Sequence, residues 1–120
     1  MAKKDPQEEM QKESCKANIR SIKDALDVIN GKWKILVIMS ILEGNERFKD
    51  IERSIPNING KVLAKELKDL ELNKLITRTV YDDAPVLIEY KALPYAKSLR
   101  PVLQALSDWG KTHRKKIMKE

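Results

Sequence analysis

The stretch KWKILVIMSILEG, with the run Ile35 to Leu42 at its heart, is apolar almost all round. A helix without a polar face has to be buried, so this stretch marks the central core helix of a small helical domain. The run is far too short to span a bilayer. Gly44 closes it.

The two ends of the chain follow a different pattern. Cys15, Ile19, Ile22, Leu26 and Ile29 recur at alternating steps of four and three, the seam of a helix that packs along a partner helix. That helix can start early: in KKDPQEEM, Asp5 is the expected N-cap, Pro6 suits a first helical position, and Glu8 has capping-box spacing. Asn30-Gly31 ends it, with Gly31 free to take the left-handed conformation. At the far end, PYAKSLRPVLQALSDWGKTHRKKIMKE carries Leu99, Val102, Leu106, Trp109 and His113 on a similar seam, and Pro101 should start or kink the helix. Two such helices suggest one shared purpose, a helical dimer interface built from Ile19, Ile22 and Leu26 with Leu99, Val102, Leu106 and Trp109.

Between these ends, RFKDIERSI places Phe48, Ile51 and Ile55 at helical spacing, and Pro56 forces an exit because the residue before proline avoids helix. Asn57 to Asn59 form a short turn. Asn59 is then the N-cap of a helix whose apolar side is Val62, Leu63, Leu67, Leu70 and, beyond the bend, Leu75. Its other face carries Asn59, Lys61, Lys65 and Lys68, with Glu66, Asp69 and Glu71 toward its middle and end. After Lys74 the period changes: LITRTVY and VLIEYKAL bracket Asp82-Asp83-Ala84-Pro85 and read as a two-stranded hairpin. Helix, turn, basic helix and hairpin is the order of a winged helix-turn-helix. In that arrangement the second helix enters the major groove while the preceding one braces it against the backbone. The expected fold class is mainly α with a small β-hairpin wing (α+β).

At 120 residues the chain is expected to form a single winged-helix domain over 1–120, with an N-terminal extension over about 1–17 and a C-terminal dimerisation helix over about 94–117. Its formal charge of +6 favours a polyanionic partner. With one Cys and one His there is no zinc site of the usual ligand set and no internal disulfide, and no metal or cofactor is expected. The N-terminus lacks the apolar core of a signal peptide, which points to the cytoplasm and away from membranes. A single His without a nucleophile partner, and no glycine-rich phosphate loop, argue against an enzyme.

The stretch from Asn30 to Leu93 resembles the DNA-binding domain of the HxlR family, relatives of MarR-type regulators. The matching features are Gly31-Lys32-Trp33, Arg47-Phe48, Ile55-Pro56 with Ile58, LAKELKDLE, Arg78, Pro85, Glu89-Tyr90 and Trp109-Gly110, over about residues 20 to 110. The resemblance implies a dimeric winged-helix transcription regulator, with paired terminal helices and two recognition helices on a palindromic operator. The simplest action is repression by occupying a promoter. Double-stranded DNA is the expected partner, met by Asn59, Gly60, Lys61, Ala64, Lys65, Lys68 and Arg78. The alternative is a winged-helix adapter whose lysine face meets an acidic protein.

The departures from the family pattern are specific. Where relatives often carry a redox-sensing Cys followed by Pro, this chain has Arg20-Ser21, and its thiol, Cys15, lies upstream beside Lys12 and Lys16. A redox role for Cys15 would need exposure and a lowered pKa. Gly60 replaces a larger polar residue at the start of the recognition helix, so fewer direct base contacts should follow. Asp82 and Asp83 make the wing tip acidic, and Leu87 replaces a basic residue, which leaves the wing's grip to Arg78 and Lys91. Lys74 stands where a glycine usually ends the recognition helix, and Ala92-Leu93 with Ala96 replace a Leu-Thr and a Gly. The basic KTHRKKIMK end reads as a solvated helix terminus, and His113 as a packed or pairing residue. A small-molecule effector would find its place between Trp33, Trp109 and the terminal helices.

Overall fold

A computed structural model of the chain describes residues 6–82 and 84–119. Asp5, the expected N-cap, and Asp83, at the expected wing tip, lie outside the described residues. The chain divides into two compact units, Met1–Gly31 and Lys32–Glu120. The first is built on α1 (Pro6–Ile29), an uninterrupted helix that ends where Gly31 takes a φ of +89°. The positive φ is free of steric penalty for glycine, so the helix stops there.

The second unit runs α2 (Lys34–Leu42), α3 (Phe48–Ser54), α4 (Gly60–Leu72), β1 (Ile76–Tyr81), β2 (Leu87–Ala92), α5 (Pro94–Lys97) and α6 (Arg100–Met118). The elements are the helix, turn, helix and hairpin that the sequence leads one to expect. Val37, Ile38 and Ile41 of α2 meet Ile51, Leu63, Leu67 and Leu70 in the core, closed by Leu75, Ile76, Ala96 and Leu103. Full burial of such a side chain is worth about 1.5–3 kcal/mol. Burial of α2 is not complete: Leu36 is 43% exposed, because the elements of this unit leave that edge uncovered.

Ser40 is the polar residue within the apolar helix, and it is buried at no unpaired cost. Asn45 Nδ2 donates to its Oγ at 3.2 Å, its Oγ lies 2.6 Å from that of Ser54, and Ser54 Oγ donates to the Ile51 carbonyl at 2.7 Å. These bonds tie the C-terminal end of α2 to that of α3. Arg100 fixes α6 to the same region, donating from Nη2 to the Leu42 carbonyl at 2.8 Å. The chain leaves α3 through Pro56 and turns at Asn57, whose φ is +67°.

The hairpin is antiparallel and pairs Ile76 with Ala92, through Arg78 with Tyr90, to Tyr81 with Leu87. The Tyr90 N–H donates to the Glu46 carbonyl at 2.7 Å, which ties β2 to the loop between α2 and α3, and the Leu93 N–H donates to the Leu75 carbonyl at 2.9 Å, which extends the pairing one step beyond Ile76 and Ala92. Ala96 is fully buried, and the strand-to-helix joint forms despite the unusual residues around it. In α6 the residue that packs on the core is Leu103, one place beyond the Leu99, Val102, Leu106 seam.

Candidate nucleic-acid interface

The face of α4 opposite its core stripe is made of Lys61, Ala64, Lys65 and Lys68, all exposed. Helical spacing of three and four gathers them on one side, while Leu63, Leu67 and Leu70 point into the core. None of these lysines lies in an ion pair among the described residues. Their charge is available to a partner.

The acids of the same helix are disposed of differently. Glu66 and Asp69 turn away from the lysines toward Lys34, whose ammonium lies 3.1 Å from the Glu66 carboxylate and 3.4 Å from that of Asp69. Glu66 Oε2 is buried, and the Lys34 ammonium meets its charge as an ion pair. Burial by itself would lower the Lys34 pKa, but the hydrogen bond and charge of Glu66, followed by those of Asp69, outweigh it and hold the pKa above its ordinary value. Lys34 therefore ties α4 to α2 and leaves the face of Lys61, Lys65 and Lys68 net basic. In the sequence Lys34 carries no distinguishing mark; only its packing against residues far along the chain reveals the role.

Asn59 is the N-cap expected of it: its Oδ1 accepts from the Val62 N–H at 2.8 Å. That oxygen is committed to the helix, which leaves the amide nitrogen of Asn59 as the part of the side chain open to a partner. Gly60 supplies backbone alone. At the other end, Lys74 takes a φ of +60°, with Lys74 N–H bonded to the Glu71 carbonyl and Leu75 N–H to that of Leu70, both at 3.0 Å. This is the double-bonded ending that normally selects glycine, here adopted by lysine.

Arg78 projects from β1, exposed and in no ion pair among the described residues, and shares an open cleft of about 300 Å³ with Ala64, Leu67, Lys68, Glu71 and Tyr90. Lys91, the other wing cation named from the sequence, lies in ion pairs. Its ammonium is 3.5 Å from Glu89 and 3.9 Å from Glu46, so its charge is already met. Arg47, at the start of α3, is exposed, in no ion pair among the described residues, and borders the cleft beneath the wing with Tyr81, Pro85 and Leu87. Lys91 and Glu89 line the same cleft; the sequence signal of Arg47 was only the Arg47-Phe48 pair. Asp82 is exposed at the wing loop.

The proposed seam residues are open in the single chain. Ile19, Ile22 and Leu26 on α1 are exposed, as are Val102, Leu106 and Trp109 on α6, with Trp109 67% accessible; Leu99 is half-buried just before α6. Trp109 stacks on His113, ring centroids 4.9 Å apart and nearly parallel at 9°. Trp33 precedes α2 with the Lys32 ammonium 4.7 Å above its ring, a cation–π contact. Cys15 is exposed on α1. No helix among the described residues is long and apolar enough to cross a membrane.

Comparison with known proteins places this geometry in context. Residues 28–118 match the family model described as HxlR-like helix-turn-helix. The HTH-type transcriptional regulator YvaP of Bacillus subtilis (strain 168) is 38% identical over 86 residues, covering 72% of this chain and 80% of that protein. Among solved structures, the redox regulator HypR in its reduced form superposes with a TM-score of 0.75 at 29% identity, over 83% of this chain and 99% of HypR. The HTH-type transcriptional regulator YtcD superposes with a TM-score of 0.72 at 35% identity, over 78% of this chain and 96% of YtcD.

Proposed function

The chain belongs to the HxlR-like helix-turn-helix family of DNA-binding transcriptional regulators, and from that premise we propose that it acts as a homodimeric repressor on a palindromic operator. The observation that carries the reading is the separation of charge on α4: Lys61, Lys65 and Lys68 are free while Glu66 and Asp69 are folded against Lys34. A helix so arranged offers cations to phosphates and base edges and keeps Glu66 and Asp69 out of the groove. Arg78 on the wing strand and Arg47 at the start of α3 extend the same basic surface to the flanking backbone.

The homodimer follows from the apolar residues that α1 and α6 leave open, including Ile19, Ile22, Leu106 and Trp109. A second copy covers them best, because each helix offers the seam spacing that another helix accepts. Two-fold symmetry then presents two copies of α4 to half-sites about 34 Å apart, one turn of DNA. Occupying a promoter in this way blocks transcription without a separate activation surface.

Selection of bound sequences from a random double-stranded DNA library tests the reading. An inverted repeat is the expected outcome. Recovery of no motif, at low salt and with the protein reduced, would instead favour the adapter whose lysine face meets an acidic protein.

A further inference from the structure

Gly60, the first residue of α4, lets the side chains of Glu52 and Phe48 on α3 come close to the start of α4. A Cβ built on Gly60 would stand 3.2 Å from Glu52 Oε2 and 3.8 Å from the edge of the Phe48 ring. Phe48 and Glu52 are one helical turn apart on α3, and that face of α3 lies against the start of α4. The two carboxylate oxygens of Glu52 are used differently. Oε1 faces the Lys49 ammonium at 3.6 Å, a pair with a lysine side chain that is 75% exposed and gives up little on exchange with water. Oε2 faces Gly60.

The first turn of α4 contains no acid of its own, and Asn59 Oδ1 is committed to the Val62 N–H. The Glu52 carboxylate is thus the anionic acceptor at the point where α4 begins. A helix start without such a group attracts phosphate; here the Glu52 carboxylate competes with phosphate for that place. An acceptor at that place is matched instead by an exocyclic amino group on a base edge, and in the major groove a carboxylate pairs with cytosine N4.

We propose that Glu52, carried by the bracing helix, determines specificity by reading a cytosine amino group through the space that Gly60 leaves open. The inference rests on α4 being the helix in the groove and names one base contact within that reading. It makes the glycine and the glutamate a single device: the recognition helix gives up a side chain, and the preceding helix supplies the reading group. Cytosine occupies one position of each half-site, and that position depends on both residues.

The test is library selection run in parallel on the wild-type protein, Glu52→Gln, Glu52→Ala and Gly60→Ser, with thermal unfolding to verify that each is folded. Glu52→Gln adds a donor, and Gly60→Ser puts a side chain where the carboxylate reaches. The expected result is loss of about tenfold in cytosine preference at one position per half-site in all three, the remaining positions unchanged. A motif unaltered in the folded variants, or affinity lowered equally for every sequence, would overturn the role of Glu52 while leaving operator binding intact. Absence of any motif for the wild-type protein would remove both readings together.

Discussion

The Lys34 ammonium lies 3.1 Å from the Glu66 carboxylate, joining the first residue of α2 to the middle of α4. The side chains are only 13% and 12% exposed, so each charge depends on the other. Removing one partner of a buried pair strands the remaining charge in a poorly solvated place. Replacement of Lys34 by Met should cost about 2 kcal/mol, less than a fully enclosed pair because Asp69 keeps access to water. Urea unfolding measures this loss, and a variant as stable as the wild type would contradict it.

The same contact predicts a pH dependence of definite sign. The Lys34 pKa is raised above its ordinary value of 10.5 in the folded chain, so the folded state holds its proton more tightly than the unfolded one. Its contribution is complete below about pH 10.5 and is lost as pH rises through the folded-state value. Between neutral pH and pH near that value and above, the wild type should lose more stability than Lys34→Met. Parallel slopes for the two proteins would show that the ion pair stores no linked stability.

Lys74 occupies a left-handed position at φ +60° without the freedom of glycine. Its side chain is exposed, so little is forfeited by removing it. Lys74→Gly should relieve about 1 kcal/mol of backbone strain and raise the melting temperature by about 4 °C. A lowered melting temperature would mean that the lysine side chain stabilises the ending.

The wing separates two cations that look alike in sequence. Arg78→Ala, and equally Arg47→Ala, should weaken DNA binding about uniformly across sequences and reduce the salt slope by about one. Lys91→Ala should change affinity little, because Glu89 and Glu46 already meet that charge. Equal losses for Arg78→Ala and Lys91→Ala would show that the ion pairs of Lys91 open on binding.

If a second copy covers the seams, a charge placed there separates the protomers. Leu106→Asp and Ile22→Asp should each sediment as monomers at micromolar concentration with helical content unchanged. A wild-type protein that is itself monomeric would refute the homodimer.

Much of this fold was legible because its signals are local. Pro56 ends α3, Asn59 caps α4, and the change of period after Lys74 announces the hairpin; each acts within a few residues of chain. The lysine face of α4 was legible for the same reason. What was not legible depends on contacts between distant segments. Nothing near Lys34 shows that it will meet Glu66 and Asp69, and nothing near Lys91 shows that Glu46 will approach it. In α6 two apolar stripes lie side by side, and only packing reveals that Leu103 faces the core while Leu106 and Trp109 stay open. Gly60 read as a missing contact, since its neighbour Glu52 belongs to another helix.

The central claim is that the lysine face of α4 is the surface presented to DNA. Its most direct test is the affinity of the double charge reversal Lys61→Glu with Lys65→Glu for a selected operator, measured beside its sedimentation. The account predicts that operator binding is abolished while the oligomeric state and fold are those of the wild type. Unaltered binding by a folded double variant would contradict the assignment of α4 as the recognition helix.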